Sequence, residues 1–76
     1  MSEMEWLRIF GNNLAYHLQS IGMSQSEFAR AACLEQGSIS RYINAQQMPG
    51  IKALINIAHA LGISLDELID FGSTIY

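Results

Sequence analysis

Two histidines, one cysteine, seven carboxylates and four cationic side chains make up the reactive inventory of this 76-residue chain. Their spacing assembles neither a catalytic nor a metal site. His17 and His59 lie far apart and Cys33 stands alone, so no metal-ligand pattern forms. Cys33 lacks the adjacent basic pair that would activate a thiol, which predicts a buried structural cysteine. His17 falls on an apolar stripe, where a partnered core residue is expected, and His59 is expected on an exposed face. Ser24 and Ser64 each precede a glutamate by three residues, which is the signature of a helix cap and not of a nucleophile. The carboxylates do not pair and there is no glycine-rich phosphate loop, so no enzyme, cofactor or small-molecule substrate is expected. What remains is hydrogen-bonding chemistry. In and just after SQSEFARAACLEQGSISRYI (24–43), the side chains of Gln36, Ser40, Arg41 and Asn44 offer amides, a hydroxyl and a guanidinium at helical spacing.

The elements that position this set read as helices throughout. Leu7, Phe10, Leu14, His17, Leu18 and Ile21 recur at three- and four-residue steps, predicting a helix from about Trp6 to Ser20 that Gly22 ends. Ser24 and Glu27 form a capping box flanked by Met23 and Phe28, so a second helix begins at Gln25 and stops near Ala32 or Cys33. Leu34, Ile39, Tyr42 and Ile43 start a new apolar phase, a third helix over Gln36 to Ile43. The stretch NAQQMPG is a loop. Pro49 and Gly50 prepare a fourth helix with Ile51, Leu54, Ile55, Ala58 and Leu61 inward, ended by Gly62. Ser64 and Glu67 repeat the capping box, with Ile63 and Leu68 as its staple, before a short helix from Leu65 to Asp70. Period-two alternation is absent except in the final FGSTIY, so the expected class is all-α.

Size and composition set the frame. Seventy-six residues make one domain over 1–76, with a core of about 6–70 and a tail at 71–76. Half of them are hydrophobic, enough for a core at this length and too many for disorder. No apolar run reaches membrane-spanning length, and the acidic start MSEMEWLRIF is the reverse of a secretory signal. A single cysteine cannot form an internal disulfide, so a cytoplasmic location is expected.

A helix of about eight residues, a turn and a second helix at a steep angle is the helix-turn-helix arrangement. Its corner needs a small residue where the helices cross, here Ala29, and apolar residues at Phe28, Ala32, Leu34, Ile39 and Tyr42. GMSQSEFARAA, SISRYINAQQMP and LINIAHALGISLDEL together resemble the lambda-repressor-like (Xre/Cro) family of DNA-binding domains, over about Leu14 to Leu68. The resemblance implies a compact five-helix domain whose second and third helices form the motif. It also marks departures. Cys33 stands where the family usually has glycine in the turn, and a side chain there at positive φ costs about 1 kcal/mol or more. Leu18 and Ile43 stand where the family often has an arginine–glutamate ion pair, so an apolar core contact is expected in its place. Glu35 holds the N-cap before the third helix, where its carboxylate can bond the amides but would also sit close to phosphate.

In the geometry the resemblance implies, the N-terminal half of the third helix enters the major groove of double-stranded DNA. With Ile39, Tyr42 and Ile43 inward, Gln36, Gly37, Ser40 and Arg41 are the candidate base readers: Gln36 suits adenine, Arg41 suits guanine. Gln25, Asn44, Gln46, Gln47 and Lys52 are the candidate backbone contacts. The net charge of −3 opposes this, but it is unevenly spread. Residues 8–59 hold Arg8, Arg30, Arg41 and Lys52 against Glu27 and Glu35, a local balance of +2. Weak non-specific binding and a shallow salt dependence follow. The family commonly binds near-palindromic operators as a homodimer; Leu65, Phe71, Ile75, Tyr76 and Trp6 are the candidate dimer contacts. The resulting expectation is a sequence-specific regulator of transcription, of phage or bacterial repressor type. The rival reading is a protein-interaction module of the same fold, an antitoxin-like or anti-repressor partner, which the sparse cations favour. The polar outward face opposes it.

Overall fold

The computed structural model describes residues 2–69 and holds five helices among them: α1 (Glu3–Ile21), α2 (Gln25–Ala31), α3 (Gln36–Ile43), α4 (Ile51–Leu61) and α5 (Leu65–Ile69). The all-α class and the start of α2 agree with the sequence reading, and α3 has the predicted bounds. Helix α1 begins earlier than its apolar stripe suggests. Ser2 and Glu5 form a capping box there, the Ser2 hydroxyl accepting from the Glu5 amide at 3.1 Å. Ser24–Glu27 and Ser64–Glu67 cap α2 and α5 in the same reciprocal way. Asp70 and the tail, including Phe71, Ile75 and Tyr76, lie outside the described residues.

Each of the first four helices ends on a residue in the left-handed region just past it: Gly22, Cys33, Ala45 and Gly62, with φ between 57° and 73°. In each case the next amide reaches back to a carbonyl of the last turn: Met23 to Leu18, Leu34 to Ala29, Gln46 to Arg41 and Ile63 to Ala58. This closure satisfies carbonyls the helix leaves open. The two non-glycine cases, Cys33 and Ala45, flank α3 on both sides. The backbone is therefore held in its costlier conformation at both ends of that helix.

The core runs through Phe10, Leu14 and Leu18 of α1, Phe28 and Ala29 of α2, Ile39 and Tyr42 of α3, Ile57 and Ala58 of α4, and Leu68 of α5. Trp6 stacks on Phe10 at 5.1 Å, and the Phe10 ring meets Tyr42 edge-on at 6.5 Å. Leu18 is buried and Ile43 packs half-buried on the same cluster; both line one shallow cavity, in keeping with an apolar contact in place of an ion pair.

Four inward assignments need correction. Ile51 and Ile55 are 65% and 51% exposed, and Ile57 is the fully buried residue of α4. Lys52, Asn56 and His59 share one polar face of α4, which sets Leu54, Ile57, Ala58 and Leu61 on the opposite, inward side and leaves Ile55 beside the polar face. His17 is half-buried beside the Tyr16 ring and not in the core. Cys33 is exposed, in the left-handed turn that follows α2.

The Glu27 cap gives the fold an acid-sensitive element. The Ser24 amide donates to its carboxylate at 2.9 Å. This bond, then the Ser24 hydroxyl and more weakly Arg30, hold the Glu27 carboxyl below its ordinary value against slight desolvation. A depressed folded-state pKa contributes stability that is present above the unfolded value, about 4.3, and lost as pH falls through the folded one. Glu27→Gln keeps an acceptor oxygen and removes the titration. Its melting temperature is expected to fall less than that of the wild type between about pH 5 and pH 3. Parallel curves would contradict this role.

Candidate nucleic-acid interface

Helix α3 is fixed from three sides. Its inner face buries Ile39 and Tyr42. At its start, Leu34 anchors the turn after α2 by its amide bond to Ala29. At its end, the carbonyls of Tyr42 and Ile43 lie directly over Gly11 in the middle of α1. A Cβ at Gly11 would come within 2.6 Å of both oxygens. This glycine lets two backbones touch and sets how closely α3 approaches α1. Gly11 is absent from the sequence-based candidates, and its place on the same stripe as Leu7, Leu14 and Leu18 is the signal that marks it.

The outward face carries Gln36, Gly37 and Arg41 exposed, with Ser40 half-buried beside them. The Arg41 side chain runs back toward the start of α3, as long side chains on helices do. Its Nε donates to the Gln47 Oε1 at 2.6 Å and its Nη2 to the Ser38 hydroxyl at 3.4 Å. Its Nη1 lies over Gly37, 3.2 Å from where a Cβ would stand. Ser38, absent from the sequence-based candidates, thus belongs to the cluster. Asn44 is exposed, but its amide nitrogen donates to the Ser40 carbonyl at 2.9 Å and approaches the Ser40 hydroxyl at 3.4 Å.

The remaining candidates belong to other elements. Gln25 opens α2 and is half-buried; Gln46 and Gln47 are exposed in the loop after α3; Lys52 is exposed in the first turn of α4. Gln47 already serves Arg41. Glu35 occupies the N-cap of α3 in extended conformation but makes no side-chain cap bond, so the expected carboxylate cap does not form. Neither α3 nor α4 has an acid in its first turn, whereas Glu3, Glu5, Glu27, Asp66 and Glu67 sit in the first turns of the other helices. Those acids complement helix dipoles and account for most of the negative charge.

The dimer candidates within the described residues are partly covered. Leu65 packs half-buried on the core. Trp6 is half-buried on Phe10 and walls an open groove with Met48, Pro49 and Leu54. Among the described residues no group of three or more His, Cys, Asp or Glu is placed to hold a metal ion, and no helix is long and apolar enough to cross a membrane.

Comparison with known proteins places this arrangement. A family described as helix-turn-helix matches residues 14–68. The restriction-modification controller protein C.AhdI from Aeromonas hydrophila superposes with a TM-score of 0.79 at 26% identity, over 82% of this chain and 94% of that one. A hypothetical transcription factor, NHTF, from Neisseria superposes with a TM-score of 0.81 at 22% identity, over 91% of this chain and 79% of that one. No curated protein matches the sequence significantly. The chain belongs to the helix-turn-helix family of lambda-repressor-like (Xre/Cro) type, a family of DNA-binding regulators.

Proposed function

We propose that this chain regulates transcription as a repressor by reading an operator half-site in the major groove with the N-terminal half of α3. The observation that carries the reading is the outward face of α3. Gln36 and Arg41 are exposed while Ile39 and Tyr42 hold the helix in place, so folding leaves both on the outward face, where base edges can be met. Gly37 and Ser40 complete the reading set. The similarity to C.AhdI, described as a controller protein, supports a regulatory role. Gln25, Asn44, Gln46 and Lys52 would contact the backbone, with Gln47 at the edge of the reading face. A homodimer on a near-palindrome fits the small footprint of one domain; Trp6 and Leu65 are its candidates among the described residues. A cytoplasmic location accords with this role.

A second reading has one observation in its favour. Ile51 and Ile55 present an exposed apolar edge on α4, which suits a protein partner. Enrichment of duplexes from a random pool separates the two. The DNA reading predicts two half-sites about one helical turn apart and a shallow plot of log K against log salt. A pool left unenriched would favour the interaction module. A slope as steep as that of a strongly basic repressor would contradict the sparse-cation account.

A further inference from the structure

We propose that Gln47 is a positioning residue for Arg41, and that Gly37 provides the space in which the positioned guanidinium lies. The proposal deepens the reading of α3 as the DNA-reading helix and rests on it. A guanidinium has two edges that can pair with guanine: a side edge made by Nε and Nη2, and an end edge made by Nη1 and Nη2. Here the side edge is occupied by the protein itself. Nε donates to Gln47 Oε1 at 2.6 Å and Nη2 reaches the Ser38 hydroxyl at 3.4 Å. The end edge, with Nη1 and the second N–H of Nη2, is left to meet O6 and N7 of a guanine.

The tether also sets where that edge lies. Arg41 is in the last turn of α3, away from the half of the helix that enters the groove. Its side chain reaches back one turn, and Nη1 rests over Gly37. An unrestrained arginine would lose rotamer freedom on meeting a base; one already held at Nε loses less. Gln47 can reach Arg41 because Ala45 adopts the left-handed conformation and the Gln46 amide closes on the Arg41 carbonyl at 2.8 Å, turning the loop back along the helix. Gln47 thus acts on specificity through Arg41, without touching the base.

Gly37 has a matching role. A Cβ there would stand 3.2 Å from Nη1, tighter than ordinary contact, and the flexible side chain would be the part to move. Alanine is a much better helix former than glycine, so Gly37→Ala should raise the melting temperature while displacing Arg41. Opposite changes in stability and specificity are not what a merely structural residue gives.

The test is base preference, measured by enrichment from a random duplex pool for the wild type and for Arg41→Ala, Gln47→Ala, Gln47→Glu and Gly37→Ala. Arg41→Ala identifies the guanine position by erasing its preference. Gln47→Ala is expected to lower the preference there by roughly 3- to 10-fold, the net scale of one ordinary hydrogen bond, with the other positions unchanged. Gln47→Glu should restore it, since a carboxylate accepts from Nε equally well. Gly37→Ala should melt higher and lose preference at the same position. In the free protein, the Arg41 Nε–H resonance should shift in Gln47→Ala. Uniform weakening across all sequences in Gln47→Ala would make Gln47 a phosphate contact and overturn the proposal. So would an unchanged guanine preference in that variant. A Gly37→Ala chain with intact preference would remove Gly37 from it. If the wild type enriches no sequence, the DNA reading itself fails and the proposal falls with it, a result distinct from the others.

Discussion

Gly11→Ala is expected to destabilise the fold by about 3 kcal/mol, although alanine is by far the better helix former. The added Cβ would meet the carbonyl oxygens of Tyr42 and Ile43 at 2.6 Å. Both are backbone atoms, and Tyr42 is buried in the core against Phe10, so neither can swing aside as a side chain would. Relief requires α1 and α3 to separate, which opens the packing between Phe10, Leu14, Ile39 and Tyr42. For a domain of this size the loss corresponds to a fall in melting temperature of roughly 12–24 °C. Thermal unfolding followed by circular dichroism measures it. An unchanged or higher melting temperature would mean that the helices tolerate a methyl group between them.

That glycine illustrates what could be read from residues alone. The capping boxes at Ser24 and Ser64 and the terminating Gly22 and Gly62 are local devices, and each stood where its neighbours in sequence predicted. The corner was readable for the same reason: Phe28, Ala29, Ile39 and Tyr42 are set by short-range spacing. Close approach between helices distant in sequence was not. A glycine in mid-helix reads locally as a weak point; only its place on the Leu7–Leu14–Leu18 stripe hinted otherwise. Helix α4 is a different case: its polar face of Lys52, Asn56 and His59 marks the inward side at Ile57 and Ala58, and placing Ile51 and Ile55 inward follows apolar character alone and ignores that face. In the site, exposure of Gln36 and Arg41 followed by elimination from the buried residues. The Arg41–Gln47 bond did not, since it depends on Ala45 taking a conformation that nothing in NAQQMPG announces.

The second large effect concerns binding. The double variant Gln36→Ala, Arg41→Ala is expected to lose roughly 2–6 kcal/mol of affinity for an enriched duplex, the sum of two bidentate base contacts. Its melting temperature should stay near the wild-type value, because both residues are exposed and surface substitutions usually change stability by less than about 0.5 kcal/mol. Binding measured at two salt concentrations distinguishes base reading from charge loss. Removing the Arg41 cation can lower the salt slope by at most about one phosphate contact, whereas Lys52→Ala should lower the slope and weaken all sequences alike. Equal loss on enriched and random duplexes would reduce Gln36 and Arg41 to backbone contacts.

The central claim is that the outward face of α3 meets DNA. Its most direct test is a backbone-amide NMR titration of the full chain with a duplex enriched by it. The account predicts the largest shifts at residues 36–41, with further changes at Gln25 and Lys52 and at the Gln47 side-chain amide. Shifts confined to the α4 edge at Ile51 and Ile55, or to the groove beside Trp6, with α3 silent, would contradict it.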